Sequence, residues 1–342
     1  MVVANAAFER VMETTDQWIE ERTGIRERRF VDPGTAASDL GVEAARAALE
    51  DAGVEASEVD YIVCAVMTPD YYFPGSGGLI QHKLGIDPVP CLDIRQQCAG
   101  YAFGLQMVDV LIRSGAARTV LLIGTDVHSS MFPFSERTWS ALTSSDGRGE
   151  AIDRDEYEWN SRYRNILVLF GDGAGAMVFR ADEGGDDRGI LGHRLRTDGG
   201  VIEALHMPGV GSLQRPMIRP GMYETGEWVP QMDGRTVFRL AVTKMPEVTL
   251  ELLAGLELSL DQLDLLVMHQ ANLRINDAAQ KALGLPDDKV FNNIQSYGNT
   301  TSATLPIAFH EARQAGRARQ GDLVAFAALG AGLNWGAVLM RV

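Results

Sequence analysis

Two stretches of this chain read as copies of one unit: VDYIVCAVMTPD at Val59–Asp70 and LDLLVMHQANL at Leu263–Leu273. Each runs from an acidic residue through an apolar strand into a polar turn. The parallel continues in HKLGI (His82–Ile86) and KALGL (Lys281–Leu285), then in DIRQQCAG from Asp93 and NIQSYGNT from Asn293, an offset of 200 residues. Helices ending in Ser114-Gly115 and Ala315-Gly316 follow, and each feeds an apolar run, TVLLIGTDV or LVAFAALGAG. Near-continuous apolar strands alternating with helices mark sheets covered by helices on both faces. Two such halves about a pseudo-two-fold axis would place Cys98 and the Gln295–Asn299 loop opposite one another. Chance similarity between two α/β units is the alternative.

At 342 residues, with 46% hydrophobic and 23% charged residues, the chain has the composition of an ordinary globular protein and room for two fused halves. No apolar run approaches the length of a membrane span, and the N-terminus lacks the basic-then-apolar order of a signal peptide. Three cysteines (Cys64, Cys91, Cys98) form neither a disulfide framework nor a paired metal motif, which points to a reducing, cytoplasmic setting. A net charge of −15 argues against nucleic acid or an anionic membrane as partner, and an acidic protein partner would need a local basic patch.

Cys98 lies where an apolar run meets a long amphipathic helix, followed by the small residues Ala99 and Gly100. A helix N-terminus is expected to lower a thiol's pKa and suits a covalent nucleophile; a buried core cysteine is the other reading. His269 ends an apolar strand, Asn299 sits in a Gly/Asn/Thr/Ser turn, and GAGLNWG (Gly330–Gly336) is a glycine-rich loop whose N–H groups could face an oxyanion. Singly, each is also a common structural feature.

Together, DIRQQCAG, HQAN (His269–Asn272), YGNT (Tyr297–Thr300) and GAGLNWG resemble the thiolase-fold condensing enzymes, and most closely the β-ketoacyl-acyl carrier protein synthase III family. TTDQWIEERTGIRERR (Thr14–Arg29), FGDGAGAMVF (Phe170–Phe179) and MDGRTVF (Met232–Phe238) extend that resemblance nearly end to end. It implies a five-layer αβαβα fold of two pseudo-two-fold related halves, 1–184 and 185–342, with mixed, mostly parallel sheets. It implies decarboxylative condensation of an acyl-CoA with malonyl-acyl carrier protein by a cytoplasmic homodimer, with coenzyme A thioester as substrate and no permanent cofactor or metal.

The resemblance also implies site residues. Cys98, His269 and Asn299 would form the triad, and the N–H groups of Cys98 and Ala331 the oxyanion hole. Ala331 stands where the family usually has glycine, and a requirement for positive φ there would strain it. Trp18 and Arg164 would sandwich the adenine, with Arg22 near the nucleotide and Asn272 and Gly234 along the pantetheine tunnel. Arg239, Arg274 and Lys281 would make the basic patch for the carrier protein. Phe73, before Pro74, would cross a dimer interface to close the partner's acyl pocket.

Thiolases that use a second, C-terminal cysteine do not match, since none follows Cys98. An acyltransferase or specialised-metabolite condensing enzyme would keep the same triad, whereas a silent acyl-binding subunit would have lost it. Two long stretches, Phe132–Arg164 and Pro208–Gln231, read as irregular excursions suited to lids or binding loops, and the first suggests an acyl donor not limited to acetyl. Finally, strand-like GILGHRLRTDGG (Gly189–Gly200) has no counterpart 200 residues earlier, so the first half is expected to lack the strand that opens the second.

Overall fold

The runs TVLLIGTD and LVAFAALG become the centres of two sheets, buried along their whole length. The computed structural model describes residues 1–144, 149, 151–182 and 188–342. Its strands are β1 (Val2–Ala4), β2 (Glu27–Arg29), β3 (Tyr61–Ala65), β4 (Cys91–Ile94), β5 (Thr119–Asp126), β6 (Gly173–Arg180), β7 (Gly189–Thr197), β8 (Leu205–His206), β9 (Gln231–Met232), β10 (Leu265–Met268), β11 (Val290–Phe291), β12 (Leu323–Gly330) and β13 (Asn334–Arg341). One sheet has the order β4-β3-β5-β6, the other β11-β10-β12-β13-β7. In the first, only the β5–β6 pairing is antiparallel. The second divides evenly between parallel and antiparallel pairs, so four of the seven pairings described in the two sheets are parallel.

Five layers result. Ala37–Ala52 and Ser76–Leu84 cover the outer face of the first sheet, in a core that includes Val42, Leu49, Ile62 and Ile123. Gly100–Arg113 and Thr304–Gln314 lie between the sheets, where Leu105, Leu122, Leu305 and Phe326 share one core. Gly234–Gly255 and Leu273–Leu283 cover the outer face of the second sheet through Val248, Leu252, Ile275 and Leu339. Each apolar helix stripe and each sheet face is thereby buried against another element.

The repeat is real in three dimensions, but its offset is not constant. Tyr61 and Leu265 open equivalent strands 204 residues apart, as do Thr119 and Leu323. Just before each inner helix lies a 3-10 turn, Gln97–Ala99 or Thr301–Ala303, opened by a residue at positive φ (46° and 51°). Cys98 therefore corresponds to Ser302, not to the Gly298 that an offset of 200 pairs with it. The Asn299 loop still meets the Cys98 turn, because the two turns pack on one another.

The Phe132–Arg164 excursion is more regular than its sequence suggests. It contains helices Glu136–Thr143 and Arg154–Arg162, and Phe132, Phe134 and Leu142 pack on Phe8, Val11 and Met12. The Pro208–Gln231 loop is closed at its base by the β8–β9 ribbon. Gly189–Thr197 is a strand, as expected, and covers the edge of β13. The corresponding edge of β6 carries no strand among the described residues, and β6 is half-buried where β13 is mostly buried. The expected boundary between 184 and 185 lies outside the described residues.

Candidate active site

Cys98 sits in the 3-10 turn that runs into the Gly100–Arg113 helix, 8% exposed. Burial pushes its thiol up to about 12, and buried Asp126 adds to the rise. Its own N–H and the side chains of Thr301 and Asn299 pull the other way without prevailing. The expected depressed pKa is thus overturned: desolvation outweighs the helix terminus, and Cys98 is a neutral thiol near pH 7. Asp126 is itself clamped, accepting from Met67 and Thr68 N–H (2.7 and 2.8 Å) and from the Ser302 hydroxyl (2.6 Å), so one carboxylate ties the two halves together.

His269 follows β10 and is 2% exposed. Its Nδ1 lies 2.7 Å from the Thr304 hydroxyl, while its Nε2 is buried without a partner. Among the described residues nothing satisfies it, and a buried ring nitrogen left open calls for a partner. Burial lowers its pKa to about 3, so the ring is neutral. Asn299, 5% exposed, accepts from Thr301 N–H at 2.9 Å through Oδ1, which leaves Nδ2 as the donor toward the thiol. The glycine-rich loop approaches from the other side. A Cβ on Gly330 would stand 2.9 Å from Cys98 N and 2.8 Å from Ala99 N. Ala331 is not at positive φ, which Gly332 takes instead (136°), so the alanine carries no such strain.

Other expected residues fall into groups. Arg22 and Arg164 both lie over the Trp18 ring, at 4.5 and 4.9 Å from its centroid. Asn272 donates to the Arg22 carbonyl at 2.9 Å, next to that group. Gly234 is exposed at the start of its helix. Arg239, Arg274 and Lys281 are exposed on two helices that pack together. Phe73 is 81% exposed, beside exposed Tyr71 and Tyr72, and its bond to Pro74 is cis.

Three neighbours of the triad carry no signal in the sequence reading. His128 follows β5, 2% exposed, with its ring stacked on Phe170 (4.2 Å, 12°) and its Nε2 hydrogen-bonded to the Thr301 hydroxyl. Thr301 in turn reaches Cys98, and Thr304 holds His269. His128, Phe132, Ile166, Phe170, Val229 and Pro230 line a small pocket of about 10 Å³, room for a single water. A second copy of the strand–turn pattern around Asp126 could have pointed to His128, but only the fold shows which way it faces.

The sequence matches the 3-Oxoacyl-[acyl-carrier-protein (ACP)] synthase III family over residues 92–152 and 155–199, and its C-terminal counterpart over 253–342. Beta-ketoacyl-[acyl-carrier-protein] synthase III of Koribacter versatilis is 40% identical, with 99% of this chain and 93% of that protein covered. The protein of that name from Rhodospirillum rubrum is 41% identical, covering 99% and 95%. Among solved structures, 3-oxoacyl-[acyl-carrier-protein] synthase III of Aquifex aeolicus VF5 superposes with a TM-score of 0.82 at 35% identity, covering 100% of this chain and 96% of the other. The priming β-ketosynthase of the R1128 polyketide pathway gives 0.82 at 30%, covering 100% and 92%.

Proposed function

The chain belongs to the 3-oxoacyl-[acyl-carrier-protein] synthase III family, and from that premise we propose that Cys98, His269 and Asn299 divide the work of one condensation. The enzyme joins an acyl-CoA starter to malonyl-acyl carrier protein with loss of CO2, giving a β-ketoacyl-acyl carrier protein. Cys98 attacks the starter thioester, with the Cys98 and Ala331 N–H groups on the tetrahedral oxyanion. His269 Nε2 and Asn299 Nδ2 then donate to the malonyl thioester carbonyl. Decarboxylation leaves an enolate held by those two donors, and its carbon attacks the acyl-Cys98 ester. The unpartnered Nε2 of His269 carries this assignment. The chemistry draws on the thioesters and calls on no resident cofactor.

The pair of guanidinium groups on Trp18 supports an adenine site there, and Asn272 and Gly234 would border the pantetheine arm. Arg239, Arg274 and Lys281 would receive the acidic carrier protein. The exposed Tyr71–Phe73 group supports a homodimer in which Phe73 closes the partner's acyl pocket. Three free cysteines suit a cytoplasmic enzyme. Among the described residues no helix is long and apolar enough to cross a membrane. A second reading, a priming enzyme of specialised metabolism, draws support from the likeness to the R1128 protein. Intact mass after exposure to acyl-CoAs tests the scheme: the wild type gains one acyl group, and Cys98→Ala and Cys98→Ser gain none. Adduct on either variant would remove Cys98 from its role.

A further inference from the structure

Acylation requires that Cys98 lose a proton that burial makes it keep, while the proposed work of His269 lies at the malonyl carbonyl. We propose that His128 takes this proton during acylation, relayed through the Thr301 hydroxyl, so that His128 and Thr301 are positioning residues for the thiol. The inference rests on Cys98 being the acyl carrier.

The geometry is that of a relay. His128 is enclosed, and stacking on Phe170 fixes its ring plane. Among the described residues its ring nitrogens bond only the Thr301 hydroxyl, and the turn that carries Thr301 packs on the Cys98 turn, where that hydroxyl favours the thiolate. Thr301 holds φ at 51°, a costly conformation for a β-branched residue, and Asn299 Oδ1 secures it by accepting from the Thr301 N–H at 2.9 Å. The segment carrying His128 is anchored by Asp172, which accepts from the Ser129 N–H (2.8 Å) and hydroxyl (2.5 Å). The matching turn of the first half holds Gln97 at 46°, so this backbone belongs to the repeat; what is particular here is the hydroxyl set between a thiol and an imidazole.

The step balances. At rest Cys98 S–H donates to Thr301 Oγ1, and the Thr301 hydroxyl donates to Nε2 of neutral His128. As the sulfur bonds to the acyl carbon, the thiol proton passes to Thr301 and the threonine proton to His128. Collapse of the tetrahedral intermediate breaks the carbon–sulfur bond to coenzyme A. The proton then returns through the same hydroxyl to the departing sulfur, which leaves as the thiol. The titratable groups around this path are His269, which faces His128, Asp126, which faces Cys98, and Asp172 behind His128. The imidazolium exists only while the intermediate's oxyanion carries the opposite charge.

Rapid-quench acylation by acyl-CoA, followed by intact mass across pH, tests this on wild type, His128→Leu, Thr301→Val and Thr301→Ser. His128→Leu and Thr301→Val should acylate about 100-fold more slowly at neutral pH. Their rates should climb about tenfold per pH unit, where the wild type is nearly level. Thr301→Ser, which keeps the hydroxyl, should retain the wild-type profile. Equal rates and profiles for Thr301→Val and wild type would overturn the relay, as would a Thr301→Ser that behaves like Thr301→Val. If His128→Leu fails to fold, the threonine pair decides alone. A wild type that forms no adduct refutes the underlying acyl-carrier reading, whereas adduct with unchanged variants refutes the relay only.

Discussion

His269 can donate to a thioester only with its proton on Nε2, and Thr304 decides that. The Thr304 hydroxyl has one proton and two acceptors in reach, His269 Nδ1 at 2.7 Å and the Thr301 carbonyl at 3.0 Å. The hydroxyl is placed to donate to the Thr301 carbonyl; the working tautomer requires that it turn its proton to Nδ1 instead. Thr304→Val should therefore reduce malonyl decarboxylation about tenfold or more while leaving Cys98 acylation nearly intact; equal losses in both half-reactions would contradict this. His269→Ala should show the same split more strongly, since one lost donor of this kind costs about 3 kcal/mol, whereas Asn299→Ala should lose decarboxylation and slow acylation as well, because Asn299 also holds Thr301. Burial lowers both His128 and His269 to about 3, so the unfolded chain binds protons below its ordinary histidine pKa that the folded chain refuses. Stability should fall as pH drops from about 6.5 toward 3, by about 2 kcal/mol per histidine at pH 5. The raised pKa values of Asp126 and Asp172 oppose this trend, so the comparison that isolates it is His128→Leu against wild type: the variant should lose less stability between pH 7 and 5. Residues in named motifs, Cys98 and Asn299 among them, were legible in the sequence. His128, Thr301 and Thr304 were not, because their roles come from which neighbour a buried side chain meets.

At the scale of elements, the long apolar strands and the glycine-ended helices could be read directly, since burial on both faces leaves a continuous signature. What local pattern cannot carry is register. The shift from an offset of 200 to 204 at the Cys98 turn hides in a likeness between DIRQQCAG and NIQSYGNT that the fold does not honour. The Phe132–Arg164 helices were missed for a similar reason: their apolar residues answer to the N-terminal segment, not to their own periodicity. Gly330 shows how tightly the elements close around the nucleophile. Gly330→Ala would push the loop from the Cys98 turn, so acylation should fall by at least about tenfold with the fold retained; wild-type acylation would show that the loop has slack. The edge of β6 that no strand pairs among the described residues should exchange its amide hydrogens faster than the centre of β13, whose two edges are both paired. Equal protection of the two strands would mean that β6 is covered in solution.

For the whole molecule, a net charge of −15 makes approach of an acidic carrier protein unfavourable except where cations cluster. Arg239→Glu, Arg274→Glu and Lys281→Glu, alone or combined, should raise KM for malonyl-carrier protein and weaken its salt dependence, without changing acylation by acyl-CoA. An unchanged KM would move the docking surface elsewhere. Two α/β halves were expected from the repeat and five layers from the family resemblance, whereas the polar contacts around Cys98 and His269 emerged only with the fold. The central claim is that one site performs acylation at Cys98 and then decarboxylative carbon–carbon bond formation. Its most direct test loads Cys98 with acyl-CoA, removes excess donor, and adds malonyl-carrier protein labelled in the free carboxyl. The account predicts one CO2 released for each β-ketoacyl-carrier product and each acyl group lost from Cys98, with all three suppressed in Asn299→Ala. Loss of the acyl group to the carrier protein without CO2 release would contradict it.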